Sequence, residues 1–186
     1  MTASDDPRVL TILQAASQSF GQYGYRKTSM EDIARAASMS RPALYQFFPN
    51  KEAIFRALCI QLFAAKTAAL RLALAQTGRT TDVLRSAVRA EAQEFMAVVL
   101  ESPHGQELMD VGHAVAADIA TGGEAEIVNL YAAFFDRHGA SDAPQLAQTF
   151  LEAKGGLKVS GRPRDDYMAH LDRLAFAFGA LLERPA

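Results

Sequence analysis

Apolar residues along the chain recur at intervals of three and four, and no segment sustains the period-two alternation of a half-buried strand. The spacing predicts an all-α protein of about nine helices. Val9, Ile12, Leu13, Ala16 and Phe20 form one face of a first helix from Pro7 to about Gly21. Asp6 is its candidate N-cap, Pro7 suits its first position, and Gly21 and Gly24 supply its stop. Thr28-Ser29-Met30-Glu31 reads as a capping box that opens a second, short helix with Met30, Ile33, Ala34 and Ala37 on its apolar face. Ser38-Met39-Ser40 interrupts that helix. Ser40 then caps a third short helix with Pro42 in its first turn, and Leu44 and Phe48, one turn apart, face the core. Pro49-Asn50 ends it, and Asn50 caps the next.

The rest of the pattern is longer in wavelength. A fourth helix is expected from Lys51 to about Gln76, a fifth from Thr80 to about Leu100, and a helical stretch over Gly105 to Ala120. Gly122-Gly123 reads as a break before a helix over Glu124 to His138. Pro144 starts another that continues to about Ser160, and Arg164 to Leu182 forms the last, with Tyr167, Leu171, Leu174, Ala175, Phe178 and Leu182 on one stripe.

Two short helices joined by a tight turn make a helix-turn-helix candidate, in which the second helix enters the major groove and the first crosses the backbone. A plain structural hairpin fits the same spacing. Composition is consistent with a folded core, at 49% hydrophobic and 22% charged over 186 residues. The single Cys59 excludes an internal disulfide framework, and buried filler suits it better than a redox role. The opening residues lack the pattern of a secretory signal and no apolar run reaches membrane length, so a cytoplasmic protein without a membrane partner is expected. The net charge of −2 argues against nucleic acid in bulk, but it is unevenly spread. Residues 1–60 hold seven basic side chains (Arg8, Arg26, Lys27, Arg35, Arg41, Lys51 and Arg56) and five acidic ones, and the remainder is net acidic.

The run Ile12-Leu13-Gln14-Ala15-Ala16, Phe20, Gly24-Tyr25, Thr28-Ser29, Asp32-Ile33-Ala34, Ser40, Leu44-Tyr45, Phe48 and Lys51-Glu52 resembles the TetR family of transcriptional regulators over about Val9 to Leu58. Ser38-Met39 stands where the family usually has Gly-Val, Pro42 where Gly is frequent, and Phe47 where His is usual. The resemblance implies a DNA-binding domain over residues 1–50 and a helical effector-binding and dimerisation domain over 51–186. It implies a homodimer on a double-stranded, palindromic operator. It assigns candidate DNA contacts to Thr28, Ser40, Arg41, Pro42, Ala43, Tyr45, Gln46 and Lys51. For Thr28 a plain cap, for Tyr45 a buried hydroxyl and for Gln46 a solvated surface position are the rival roles.

In the body, Phe95, Met96, Val99, Met109, His113, Tyr131, Phe134 and Phe135 are candidate contacts for a small-molecule effector, although each suits plain core equally in kind. His104 and His113 with Glu107 and Asp110 invite a metal reading, but their spacing drifts around the helix, so no metal or other cofactor is expected. Gly155, Gly156, Leu171, Leu174, Phe178 and Leu182 are the candidate dimer interface. No phosphate loop, nucleophile elbow or H-E-x-x-H motif supports an enzyme. The rival class is a helical small-molecule-binding protein without DNA binding, separable by salt-dependent retention on duplex DNA.

Overall fold

The computed structural model describes residues 6–95, 102–157 and 163–183, the side chains of residues 94 and 95 excepted, and among these residues it is all-α with nine helices. These are α1 (Pro7–Tyr23), α2 (Met30–Ala36), α3 (Arg41–Tyr45), α4 (Lys51–Leu74), α5 (Thr80–Phe95), α6 (Gly105–Val115), α7 (Ala117–Arg137), α8 (Ala143–Gly156) and α9 (Arg164–Leu182). They are arranged in two compact units. One combines Met1–Leu62 with Ala97–Ala120, and the other combines Phe63–Met96 with Thr121–Ala186.

The first unit forms as its caps and periodicity dictate. Asp6 accepts the Arg8 N–H at 2.9 Å and opens α1. Gly24, at φ 85°, closes it in a conformation that costs a side chain dearly. Asn50 accepts the Ala53 N–H at 2.8 Å ahead of α4. Ile12, Ala16, Phe20, Ile33, Leu44 and Ile54 are sealed from solvent at the centre, each worth about 1.5–3 kcal/mol of burial for the larger side chains. Phe20, Tyr25 and Phe55 pack as a triad with ring centroids 5.2–5.8 Å apart. At the far end of α4's first two turns, Arg56 grips Asp118 with both guanidinium branches, at 2.8 and 2.7 Å, and holds that carboxyl down to about 2 through the hydrogen bond.

The second unit is centred on α5 and α9. Leu84, Ala87 and Val88 of α5 are buried, as are Tyr167, Leu171, Ala175 and Gly179 of α9, spaced four apart along one face. The two backbones approach so closely that a Cβ on Gly179 would lie 2.6 Å from the Thr81 Cα. Tyr131, Phe135, Phe150 and Phe178 continue the core as a chain of ring contacts at 4.8–6.1 Å.

Two expectations from the sequence are corrected here. Gly122-Gly123 does not break the chain, because α7 runs through it. Gly123 faces the Phe63 ring of α4, where a Cβ would collide, so the glycine serves close helix packing rather than termination. α4 is also more apolar than the expectation for the chain allowed. Over 24 residues it holds an 18-residue window of mean hydropathy 1.5, long and apolar enough by composition to cross a membrane. Its Ile54, Phe55, Leu70, Ala73 and Leu74 are core residues, and its buried Lys66 is ion-paired.

Candidate nucleic-acid interface

The α2 to α3 segment has the geometry of a helix-turn-helix built by local hydrogen bonds. Ser29 caps α2, accepting the Asp32 N–H at 3.2 Å, and Asp32 accepts the Ser29 N–H at 3.0 Å in return. The capping box therefore sits one residue later than Thr28 and Glu31. α2 ends in a Schellman arrangement, with the Ser38 N–H on the Arg35 carbonyl at 3.1 Å and the Met39 N–H on the Ala34 carbonyl at 2.9 Å. Ser38 takes the left-handed position at φ 55°, which glycine occupies most cheaply. Ser40 accepts the Ala43 N–H at 3.3 Å and opens α3.

α3 has one inward anchor, Leu44, which is completely buried. Ser40, Arg41, Pro42, Tyr45 and Gln46 are exposed, and Ala43 is half-buried. The Arg41 guanidinium lies 5.6 Å from the Tyr45 ring centre, and the two side chains form one exposed cationic and aromatic surface. The Tyr45 hydroxyl is on that surface rather than in the core.

Two expected phosphate contacts are placed elsewhere. Thr28 is buried, and its hydroxyl proton is directed at the Gly24 carbonyl at 2.7 Å and the Ser19 carbonyl at 3.2 Å. Its N–H also donates to the Gly24 carbonyl. Lys51 points its ammonium at the Tyr25 and Thr28 carbonyls, at 2.6 and 2.8 Å, and more distantly at that of Arg26, at 3.4 Å. It also lies 4.4 Å from the Tyr25 ring centre. All three of its protons are engaged inside the protein, and burial pushes its pKa down. Both residues support the loop that carries α2.

The same loop is braced from α6. Glu107 accepts the Arg26 N–H at 2.8 Å, and Ser102 donates to the Gly21 carbonyl at 2.8 Å. Of the side chains that invited a metal, His104 and Glu107 lie 3.6 Å apart, Asp110 is taken by Gln106 at 2.9 Å and His113 is exposed. Among the described residues no three His, Cys, Asp or Glu side chains converge as metal ligands.

Further cations lie beside the motif. Arg8, exposed at the start of α1, lies 5.0 Å from the centre of the Phe47 ring just beyond α3. Lys27 and Arg35 line a cleft of about 460 Å³ together with Tyr23, Ser19, Asp32 and Ala36. Charge-counting included these residues, but only the fold shows that they lie beside exposed elements of the motif.

The family profile described as "Bacterial regulatory proteins, tetR family" matches residues 12–58, which hold this whole motif. Residues 12–58 thus carry the DNA-binding segment of the TetR family. Over 104 residues, 56% of the chain, it is 32% identical to the transcriptional activator FasR of Mycolicibacterium smegmatis. Over 57 residues, 29% of the chain, it is 44% identical to the transcriptional repressor ComR of Escherichia coli. The matched stretches span 46% and 27% of those two proteins, so the chain aligns with less than half of either. In fold the agreement is nearly end to end. A transcriptional regulator from Cytophaga hutchinsonii superposes with a TM-score of 0.76 over 95% of this chain and 97% of its own, at 19% identity.

The remaining expected site residues fall in different places. Met109, half-buried, and His113 lie on α6 in the first unit, whereas Tyr131, Phe134 and Phe135 are core of the second. Met96 and Val99 lie outside the described residues, as does the side chain of Phe95. On α9, Leu171 is completely buried within its own unit, because the face that meets α5 repeats at 167, 171, 175 and 179, and it is removed from the candidate dimer interface. Phe178 is half-buried, with its ring against Phe150 at 4.8 Å and Phe135 at 6.4 Å. Leu174 and Leu182 are half-buried, and Gly155 and Gly156 are exposed on α8. The large apolar side chains that α9 does expose are Phe176, at 63%, and Leu181, at 52%.

Proposed function

We propose that this TetR-family chain is a ligand-responsive cytoplasmic transcriptional regulator that binds a palindromic operator as a homodimer. Residues 1–50 read the duplex, and residues 51–186 hold a small, largely apolar effector and the dimer contact. Apo protein occludes transcription, and the effector releases it by favouring a conformer whose two heads no longer match the half-site spacing of about 34–36 Å. The effector acts only through a difference in affinity for the two conformers. The observation that carries the reading is the orientation of α3: Leu44 anchors it inward and leaves Arg41, Tyr45 and Gln46 exposed along a Ser40-capped helix. In this arrangement Arg41 reaches a base edge or phosphate, Tyr45 a phosphate and Gln46 an adenine edge. Arg8 adds a cation beside Phe47.

The test is selection of bound duplexes from a random pool with purified protein, followed by screening of small molecules for release. A two-fold symmetric enriched sequence, with affinity that falls steeply with salt, is the expected result. A folded dimer that retains no duplex at low salt would overturn the reading in favour of a helical small-molecule carrier. The sign of regulation is read from transcription in vitro on the selected operator.

A further inference from the structure

The second unit buries a charged cluster that neither its stability nor duplex binding calls for. Lys66 of α4, Glu91 of α5 and Lys154 of α8 are each 4–5% exposed, and Tyr131 of α7 is completely buried. Three donors converge on the Glu91 carboxylate. Lys154 bonds one oxygen, the Tyr131 hydroxyl donates to the same oxygen at 3.0 Å, and the Lys66 ammonium lies 3.7 Å from the other. The Lys154 ammonium also lies 4.9 Å from the centre of the Tyr131 ring. Beside the carboxylate is a void of about 10 Å³, bounded by Lys66, Glu91, Lys154 and Tyr167 with Val88 and Leu171 as apolar walls.

Such a cluster is costly. Each buried charge gives up its hydration, and apolar side chains of the same volume are commonly as stable or more so. What the arrangement does supply is a receptor for a carboxylate. Two ammonium groups and a phenol, drawn from three helices, are fixed in a dry site where charge-assisted hydrogen bonds are strong. In this state the receptor holds the chain's own carboxylate. The void has room for about one water, so an organic molecule enters only if a side chain leaves. Glu91 is the side chain whose departure an incoming carboxylate compensates charge for charge. A neutral molecule offers no such exchange.

We propose that Lys66, Lys154 and Tyr131 form the recognition floor of the effector site, and that the effector carries a carboxylate on an apolar body and displaces Glu91 from these donors. The inference rests on the effector reading above and narrows its chemical class. Glu91 acts as an internal competitor that keeps the site closed until an external carboxylate takes its place.

The experiment uses the full chain and a series of paired probes: hexanoate, octanoate and benzoate, each against its own primary amide. Thermal midpoints are followed with probe concentration. At least one carboxylate is expected to raise the midpoint by several degrees while its amide does not. Glu91→Gln is expected to tighten that carboxylate about tenfold, Lys154→Met to abolish the response, and Tyr131→Phe, which keeps the ring, to weaken it severalfold. Tyr131→Phe serves as the test if Lys154→Met does not fold. Equal responses to acid and amide, no response to any carboxylate, or a carboxylate response that survives both Lys154→Met and Tyr131→Phe would each overturn the proposal. Duplex binding is measured in parallel. Loss of duplex binding with intact carboxylate binding would overturn the regulator reading and leave the carboxylate site standing.

Discussion

Lys51 donates to the carbonyl oxygen of Thr28 at 2.8 Å, so two residues expected to contact phosphate are joined to each other at the entry to α2. The Lys51 ammonium also closes onto the Tyr25 carbonyl at 2.6 Å, which ties the start of α4 to the segment leading into α2. Lys51→Met is therefore expected to act on stability first. Hydrogen bonds from a charged donor are worth about 1.5–3 kcal/mol, and the half-buried setting puts the loss near the lower end. Urea unfolding should show a lower midpoint, while the salt slope of duplex binding stays within one unit of the parent. A parent-like midpoint with a shallower slope would return Lys51 to the phosphate path.

The existence and type of the elements were legible in the sequence because cap chemistry and the 3.6-residue period agree along most of the chain. Positions within them were less so, for reasons of competing chemistry. Thr28 and Ser29 are both capping residues and Glu31 and Asp32 are both acids, so two capping boxes fit and only burial of Thr28 decides between them. Gly122 and Gly123 each weaken a helix by about 1 kcal/mol in isolation, and the contact that retains Gly123 belongs to Phe63, sixty residues away in the chain. Leu171 and Leu174 share one stripe of the last helix until α5 is in place to bury the first and leave the second half-exposed. Lys66, Glu91 and Lys154 carry no local signal at all, because their meeting depends on three helices.

Ser38 is the one non-glycine residue at positive φ among the described residues. An L-residue in that region costs about 1–2 kcal/mol, while glycine there adds about 0.4–1 kcal/mol of unfolded-state entropy. Ser38→Gly is expected to raise stability by up to about 1 kcal/mol, with a thermal midpoint a few degrees higher and duplex affinity unchanged. A lower midpoint would show that the serine side chain contributes more than its backbone costs.

Arg41 and Arg8 should separate by kind of contact. Arg41→Ala is expected to cost about 1–3 kcal/mol on the selected operator and to relax preference at one position of each half-site. Arg8→Ala should weaken binding evenly across sequences and reduce the salt slope by about one for each head. Titration of both variants against operator and scrambled duplexes at several salt concentrations checks the pair. Uniform weakening by Arg41→Ala would reassign it to the backbone.

The Glu91 cluster should leave its mark on acid stability. Burial pushes the Glu91 carboxyl up, but Lys154, Lys66 and the two hydrogen bonds outweigh it and set the folded value below the ordinary 4.5. The folded state thus binds fewer protons at this site than the unfolded chain. Its contribution to stability is whole above about pH 4.5 and is lost as pH falls through the folded value. Glu91→Gln removes the buried negative charge that Lys154 and Lys66 face and should cost about 3–5 kcal/mol at neutral pH. The same variant should flatten the fall in urea midpoint below pH 4.5 relative to the parent. Parallel acid profiles for the two proteins would mean that other carboxyls govern that limb.

Phe176 is 63% exposed on the side of α9 turned away from α5, where Ala177 is also exposed and Ala180 is half-buried. Small side chains around one large ring permit close approach of a second copy, and a two-fold interface would use the ring twice. Fully burying a phenylalanine is worth about 1.5–3 kcal/mol, so losing two copies costs about 3–6 kcal/mol, or roughly a hundredfold to ten-thousandfold in dissociation constant. Phe176→Glu should therefore move the protein from dimer to monomer in sedimentation at micromolar concentration. Its helical circular dichroism should be unchanged, because the residue takes no part in its own unit's core. Duplex affinity should fall with dimer loss and recover partly at high protein concentration. A variant that sediments as a dimer would place the contact on another surface.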